Sequence, residues 1–387
     1  MPIKNRFADL HEEITGWRRH LHENPELLFD TPKTSAFITE KLQEFGCDEV
    51  VGGIGRTGVV AVIKGKTDTS GKVIGLRADF DALPIFEATG LDYASKTEGM
   101  MHACGHDGHT AMLLGAAKYL AETRNFDGTA VLIFQPAEEG GAGGKEMVDD
   151  GMMDRWNVQE VYAIHNWPGA PAGYFATRSG PFLAATDQFD IRVVGKGGHG
   201  AMPQNTVDAT VVASHIVVAL QSIVSRNVDP VEQAVVSVTS FETESKAYNV
   251  IPTLVTLKGT VRTLTAENRD LVENRLTQIA KSTAEAYGAK AEVDYVRGYP
   301  AMVNHDTETD HARDVAQKVT GTCGDAPLVM GGEDFAYMLE ARPGAFVVLG
   351  NGDSAMLHHP EYNFNDEIIP TGCSWFAEMV ESRMPAK

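Results

Sequence analysis

The first half of the chain alternates short apolar runs with segments in which apolar residues recur at helical spacing. This alternation is typical of α/β folds, in which helices flank a sheet. Several runs are apolar at nearly every position, as strands buried on both faces are. The predicted strands cover residues 58–63, 72–78, 129–134, 160–165 and, after a long interval, 345–350.

The pattern changes between residues 185 and 297, where it predicts strand, helix, strand, strand, helix, strand. This is the order of ferredoxin-like modules. The predicted elements are strands at 186–195, 234–242, 253–264 and 289–298, and helices at 208–224 and 267–288. We therefore predict two domains: residues 1–184 with 298–387 form an α/β domain whose mixed, largely parallel sheet is flanked by helices, and residues 185–297 form an inserted ferredoxin-like α+β domain.

The net charge and the cysteine content indicate which partners and which cellular compartment the protein is suited to. A formal net charge of −20 disfavours binding to nucleic acid or to anionic lipid. The four cysteines match neither a disulfide framework nor a Cys-x-x-Cys pair, which favours a reducing compartment. The N-terminal 27 residues predict a charged amphipathic helix without a signal peptide's apolar core, and no uninterrupted run of 18 apolar residues indicates a membrane span. The sequence predicts a cytoplasmic protein without nucleic-acid or membrane partners.

Residue types that bind metal ions follow almost every predicted strand of the first domain. Ligands of open α/β sheets bind outside the carboxyl ends of the strands, so these side chains are expected to converge. They are Asp79 and Asp81 after 72–78, Glu138 and Glu139 after 129–134, His165 at the end of 160–165, and His358 and His359 after 345–350.

The stretch MHACGHDGHTAM, residues 101–112, adds Cys104 and His106 from a turn that precedes a helix. Side chains two residues apart diverge on a helix, but a glycine-containing turn can direct both at one ion. Thiolate, imidazole and carboxylate together suit zinc or another first-row divalent ion better than magnesium or calcium. For His102 and His109 we favour a supporting role over a ligand role.

The pair Glu138 and Glu139 predicts two functions. On an extended loop adjacent side chains point to opposite sides, so one carboxylate can bind metal while the other acts as a general base. A glutamate pair alone is more often a solvated surface, but its place after a buried strand argues against that here. His165 has the alternative of a hydrogen-bonded histidine at a strand end.

Several motifs together resemble the M20 metallopeptidase superfamily, and in particular its amidohydrolase branch of hippurate hydrolases, N-acyl-L-amino-acid amidohydrolases and auxin-conjugate hydrolases. They occur in order over nearly the whole chain. The motifs are RADFDALP, HACGHDGHTAMLLGAA, FQPAEEGG, HNWPG, GKGGHGAMPQNTVDA, YNVIP, GGEDFAY and LHHPEYNFND. The resemblance implies a catalytic domain with two divalent metal ions, drawn from zinc, manganese, cobalt or nickel, and a lid domain that mediates a homodimer or a tetramer.

The resemblance also implies roles for individual residues. Glu138 takes the position of the general base, and Asp81 that of a carboxylate that supports the ligands. His359 stands beside the ligand position and leaves the histidine doublet ambiguous. Asp79 replaces a metal-binding histidine of other branches, which implies weaker binding of the second ion. The implied ligands are Cys104, His106, Glu139, His165 and His358.

Three residues of the predicted lid domain complete the implied site. His199 matches a residue that enters the active site of the partner subunit and supports the oxyanion. Asn249 and Arg262 match substrate-binding positions, and the guanidinium of Arg262 suits the α-carboxylate of an amino acid. An ion pair on the strand surface is an equally open interpretation of Arg262.

The resulting hypothesis is a metal-dependent amidohydrolase that cleaves small N-acyl-L-amino acids through activated water. A metallo-exopeptidase of the dipeptidase or carboxypeptidase type is the alternative from the same chemistry. A non-catalytic metal-binding protein and a Cys-His hydrolase with Cys104 as nucleophile remain open as well. The intact Glu138 argues against a non-catalytic metal-binding protein. Loss of activity with a chelator would argue against a Cys-His hydrolase.

Overall fold

The computed structural model describes residues 4–386. The chain forms two compact units, the first of residues up to 180, 303–327 and from 334 onward, the second of residues 181–302 and 328–333. The strands are β1 (Glu49–Ile54), β2 (Gly58–Lys64), β3 (Val73–Asp79), β4 (Thr129–Gln135), β5 (Glu160–Pro168), β6 (Phe175–Thr177), β7 (Gly180–Leu183), β8 (Ala185–Val194), β9 (Gly198–His199), β10 (Ala234–Thr243), β11 (Val250–Ile251), β12 (Leu254–Thr263), β13 (Lys290–Arg297), β14 (Met302–Asn304), β15 (Gly324–Asp325) and β16 (Gly344–Gly352). The α-helices are α1 (Asn5–Glu23), α2 (Pro32–Glu44), α3 (His106–Thr123), α4 (Gly143–Asp149), α5 (Met152–Arg155), α6 (Ala209–Arg226), α7 (Ala266–Ala286), α8 (Asp306–Thr320), α9 (Ala336–Ala341) and α10 (Ile369–Arg383).

The first unit is built on a mixed sheet in the order β1-β2-β4-β3-β5-β16-β6-β15. Its centre, β4-β3-β5-β16, is parallel, while β1, β2 and the β6–β16 pair add antiparallel neighbours. All positions of β3 are buried, because helices cover both faces of this sheet centre. The predicted α/β class and the five predicted strands are confirmed, and β5 runs on to Pro168.

Helix α3 is largely buried and packs against α1 and α10. It was predicted to begin at Thr110 but begins one turn earlier, at His106, and its N-cap is Gly105 at φ +91°. His106 therefore lies on the first turn of the helix rather than in the turn before it. The edge strand β1 was not predicted, since it contains two glycines and is largely exposed.

The second unit contains a four-stranded antiparallel sheet in the order β10-β12-β8-β13. The chain order β8, α6, β10, β12, α7, β13 is the predicted ferredoxin-like order. Strand β8 alternates buried and more exposed positions, because α6 and α7 cover one face of the sheet. Ile216, Leu220 and Ile223 of α6 belong to this core.

Helix α6 is also long and apolar enough to cross a membrane, judged by length and composition alone. One such helix is weak grounds for a membrane span, since helices that pack in the core of a soluble protein pass the same test. Its outward face carries Val211, Val218 and Val224, all exposed.

Candidate metal centre

Three of the predicted ligands, Cys104, His106 and His165, converge at the carboxyl ends of the parallel strands in the first unit. One potential ligand atom from each lies within 4.8 Å of the others. Gly105 makes this possible: its φ of +91° turns the chain so that Cys104, before the helix, and His106, on its first turn, face the same point. A Cβ at Gly105 would overlap the Asn166 amide, so the turn is tightly enclosed.

The remaining predicted ligands lie in overlapping groups. Glu139 and His358 group with Cys104, and Glu138 and Glu139 group with His106, each set within 4.8 Å. His358 Nε2 is 3.3 Å from Glu139 Oε1. His359 belongs to none of these groups and accepts instead the backbone N–H of Glu361 through Nδ1 at 3.1 Å. The structure thus brings His358, and not its neighbour, to the cluster.

Asp81 fixes the backbone conformation of Glu138 and Glu139. Its carboxylate accepts the backbone N–H groups of Glu138 at 3.0 Å and Glu139 at 3.1 Å. The pair consequently lies in a turn, entered through Ala137 at φ +55°. The prediction of an extended loop, with the two side chains pointing to opposite sides, is wrong. Both carboxylates have an oxygen within 4.8 Å of a ring nitrogen of His106.

Hydrogen bonds fix the ring nitrogens that are available to an ion. A backbone carbonyl only accepts, so His106 Nδ1 donates to Asp81 O at 2.8 Å and His165 Nδ1 donates to Asn166 O at 2.7 Å. In the neutral form of each ring Nε2 then carries the lone pair, and His165 Nε2 is 3.5 Å from Cys104 Sγ. The hydrogen-bonded strand-end histidine and the ligand are therefore compatible roles for His165.

His109 has the opposite arrangement. Its Nε2 accepts the backbone N–H of Asn166 at 2.9 Å, so Nδ1 is the donor to Asp79 Oδ1 at 2.6 Å. Both ring nitrogens are used, which leaves His109 no lone pair for a metal. Asp79 is ion-paired with Arg77 at 2.7 Å, and despite burial Arg77 and two histidines hold the pKa of its carboxyl well below the usual range.

His102 is also buried, and its two ring nitrogens have no hydrogen-bond partner within residues 4–386. Burial lowers its pKa to about 4, so the ring is neutral at physiological pH. Its ring centroid lies 6.3 Å from that of His22, whose Nδ1 pairs with Asp107 at 2.8 Å. His102 belongs to none of the groups of potential ligands among the described residues.

The cluster as a whole has the properties of a cation site. His106 Nε2 is buried without a hydrogen-bond partner among the described residues, an arrangement that costs about 1–3 kcal/mol unless something binds there. Burial opposes protonation of His106, but Asp79, Asp81 and Glu139 outweigh it and raise its pKa to about 10. Sulfur, nitrogen and oxygen donors in a negative field fit a first-row divalent ion.

His199 and Asn249 are neighbours in the second unit. Strand β9 pairs with β11, which sets His199 opposite Val250, and Gly200 N donates to Asn249 O at 2.7 Å. Both residues are exposed. The backbone N–H of Ala201 donates to His199 Nδ1 at 3.1 Å, so in the neutral ring Nε2 carries the proton and can donate.

Arg262 lies on β12 and is partly buried. Its Nη1 donates to Val261 O at 2.9 Å and to Thr260 Oγ1. Over residues 4–386 no carboxylate lies within ion-pairing distance of its guanidinium, and burial lowers its pKa from the usual value. Arg262 therefore forms no ion pair on the strand surface within the described part of the chain. Its guanidinium is a half-buried cation without a carboxylate partner there.

Comparisons with known proteins agree with this geometry. The family model described as peptidase family M20/M25/M40 matches residues 75–382. The hippurate hydrolase of Campylobacter jejuni is 43% identical over 383 residues, 98% of each chain. An N-acetyl-L-cysteine deacetylase of Bacillus subtilis is 42% identical, over 94% of this chain and 86% of the relative.

A solved structure extends the likeness to three dimensions. A dinuclear metal-binding peptidase of the M20 family from Bacillus subtilis superimposes with a TM-score of 0.87 at 35% identity, covering 98% of this chain and 100% of the other. The resemblance inferred from the motifs is thereby confirmed, and with it the expectation of divalent metal ions. The chain belongs to peptidase family M20/M25/M40.

Proposed function

We propose that the protein is a metal-dependent amidohydrolase that cleaves small N-acyl-L-amino acids to a carboxylic acid and a free amino acid. The convergence of one thiol, two imidazoles and two adjacent carboxylates at the strand ends carries the proposal. Relatives named hippurate hydrolase and N-acetyl-L-cysteine deacetylase, matched over nearly the whole chain, support this substrate class.

Cys104, His106, Glu139, His165 and His358 would hold two divalent ions per subunit, and zinc, manganese, cobalt and nickel all suit this donor set. Such ions lower the pKa of water and polarise an acyl carbonyl. Asp81 holds the turn that carries the base and one ligand, so neither glutamate is free to swing away.

Glu138 acts as the general base. Its carboxylate takes a proton from the attacking water and returns that proton to the leaving amine, as one group at hydrogen-bond reach of both can do. His199 supports the oxyanion through Nε2–H, in the tautomer that Ala201 N–H favours. Arg262, without a carboxylate of its own, binds the α-carboxylate of the substrate, beside which Asn249 contacts the acyl amide.

A cytoplasmic homodimer completes the proposal, with a tetramer as the larger assembly. The exposed Val211, Val218 and Val224 of α6 supply an apolar surface in the second unit suited to a second copy.

The function is tested with metal-depleted protein reconstituted with manganese or zinc. We expect turnover of N-benzoyl, N-acetyl and indole-acyl amino acids, and at least about tenfold lower kcat/KM on a dipeptide with a free α-amino group, for which no anchoring carboxylate is identified. Equal or faster cleavage of the dipeptide would favour the exopeptidase, and metal binding without any amide hydrolysis would favour the binding protein.

His199→Ala is expected to lower kcat by about 100-fold because one oxyanion donor is lost. If His199 acts in the partner's site, mixing this variant with Glu138→Gln restores up to about a quarter of the active sites, since half of random dimers are mixed and each holds one complete site. His20→Ala, an exposed histidine on α1 of the first unit, is the matched control and should leave turnover unchanged. A mixture no more active than its components would place His199 in its own subunit's chemistry.

A further inference from the structure

Asn166, immediately after His165 on β5, uses every polar group it has within the site. Its backbone oxygen accepts from His165 Nδ1 at 2.7 Å, and its backbone N–H donates to His109 Nε2 at 2.9 Å. The first bond leaves the His165 Nε2 lone pair available, and the second occupies the His109 nitrogen that could otherwise compete for an ion. The residue is fully buried, so water cannot replace these partners.

The side chain of Asn166 joins two other parts of the site. Nδ2 donates to Cys104 O at 2.6 Å, and Oδ1 accepts from Tyr362 OH at 2.7 Å. Tyr362 is fully buried and lies four residues after His358. One amide therefore connects the strand of His165, the turn of Cys104 and the loop of His358.

The loop of His358 depends on such anchors. The His358 side chain is 54% exposed and its backbone has a φ of +66°, which is uncommon for a residue with a Cβ. Two further hydrogen bonds hold the loop: His358 N donates to Ala103 O at 2.7 Å, and Ala88 N donates to Pro360 O at 2.8 Å. Tyr362 is its link to the buried side of the cluster.

Only an amide meets both demands at position 166. A carboxylate has nearly the same shape but would place a second oxygen against Cys104 O, where a donor is needed, and an apolar side chain would leave both neighbours without a partner. The close fit over Gly105, where a Cβ would lie 2.5 Å from Tyr362 OH, leaves no room for a longer amide.

We propose that Asn166 is the positioning residue of the metal centre, which fixes Cys104, His165 and the His358 loop relative to one another, with Tyr362 as its partner. The proposal rests on the metal-dependent function proposed above. Asn166 is assigned no contact with substrate. Exchanging it is therefore expected to weaken metal binding, and to lower turnover only as a result of the weaker metal binding.

The test compares Asn166→Asp with Asn304→Asp. Asn304 is a comparably buried asparagine whose Nδ2 donates to the carbonyls of Arg178 at 2.9 Å and Phe346 at 3.0 Å, neither of which belongs to a predicted ligand. Both exchanges put a carboxylate oxygen against a backbone oxygen. Metal per chain is measured at buffered free Mn²⁺ and Zn²⁺, together with the rise in Tm on metal addition and the thiolate-to-cobalt absorption of Co²⁺-loaded protein.

We expect Asn166→Asp to bind metal about 10–100-fold more weakly and to lose cobalt–thiolate absorption, the range for residues that orient metal ligands. Asn304→Asp is expected to lower Tm while its metal affinity stays that of the wild type. Tyr362→Phe, which keeps the ring and removes one hydrogen bond, should fold normally and lose less metal affinity than Asn166→Asp. Its kcat/KM should depend more steeply on the concentration of free metal than that of the wild type.

Wild-type affinity in both Asn166→Asp and Tyr362→Phe would overturn the proposal, and so would an equal loss in Asn304→Asp, because the effect would then be one of general stability. The proposed function fails separately. If the wild-type protein binds two ions with an affinity that depends on Asn166 but hydrolyses no N-acyl amino acid, the substrate assignment is refuted and the positioning role stays intact.

Discussion

Replacing Glu138 by glutamine is expected to lower kcat on hippurate or another N-acyl amino acid by about 10²–10⁴-fold. Glutamine has nearly the same shape, and its backbone N–H still donates to Asp81. The amide cannot take a proton from water or return one to the leaving amine, so the chemical step alone suffers. Metal content and Tm should remain those of the wild type.

Glu146→Gln is the matched control for this exchange. Glu146 lies on α4 and pairs on the surface with Arg56 at 2.8 Å, so the same chemical change there should leave kcat unaltered. A Glu138→Gln enzyme whose kcat stayed within about threefold of the wild type, with metal bound, would contradict the assignment of the base.

Replacing Cys104 by serine is expected to weaken metal binding by at least about 100-fold, beyond the range seen for residues that only orient ligands. A hydroxyl is a much poorer ligand than a thiolate for zinc and its neighbours. Chelation of the wild type should abolish turnover in the same way, and added divalent metal should restore it. Metal content by elemental analysis, measured with kcat, checks both results.

Cys373→Ser controls for the loss of a buried thiol. Cys373 lies on α10, and its Sγ donates to Met112 O at 3.2 Å, so serine there should affect Tm more than metal content. Activity that survives chelation and disappears on alkylation of Cys104 would instead favour the Cys-His hydrolase. Burial and the carboxylates of Glu139 and Glu138 raise the pKa of the Cys104 thiol well above its usual value, which makes that outcome unexpected.

The sequence predicted the strand ends well because continuous apolar runs mark buried parallel strands, and metal-type residues followed them. It could not determine the direction of a side chain within a turn. The interpretation of Glu138 and Glu139 failed for this reason: their backbone N–H groups donate to the carboxylate of Asp81, which lies 57 and 58 positions away along the chain.

The choice between His358 and His359 could not be made from the sequence for a similar reason. The sequence offers two adjacent imidazoles, and only the left-handed backbone of His358 decides which one reaches Glu139. Asn166 and Tyr362 lie within the motifs HNWPG and LHHPEYNFND, but the motifs do not show what the two side chains do, since their hydrogen-bond partners lie 62 and 196 residues distant along the chain. A residue that positions ligands is recognised by its hydrogen bonds, and these join separate motifs.

The enclosed turn at Gly105 has a consequence for how this centre can diverge. A methyl group at that position has no space while an amide stands at 166 and a phenol at 362. Glycine is therefore required at position 105 for as long as these two side chains are present, and a lineage that exchanges it must also change the residues at 166 and 362. The surrounding loops can vary independently, whereas the residue at 105 is constrained by the side chains at 166 and 362.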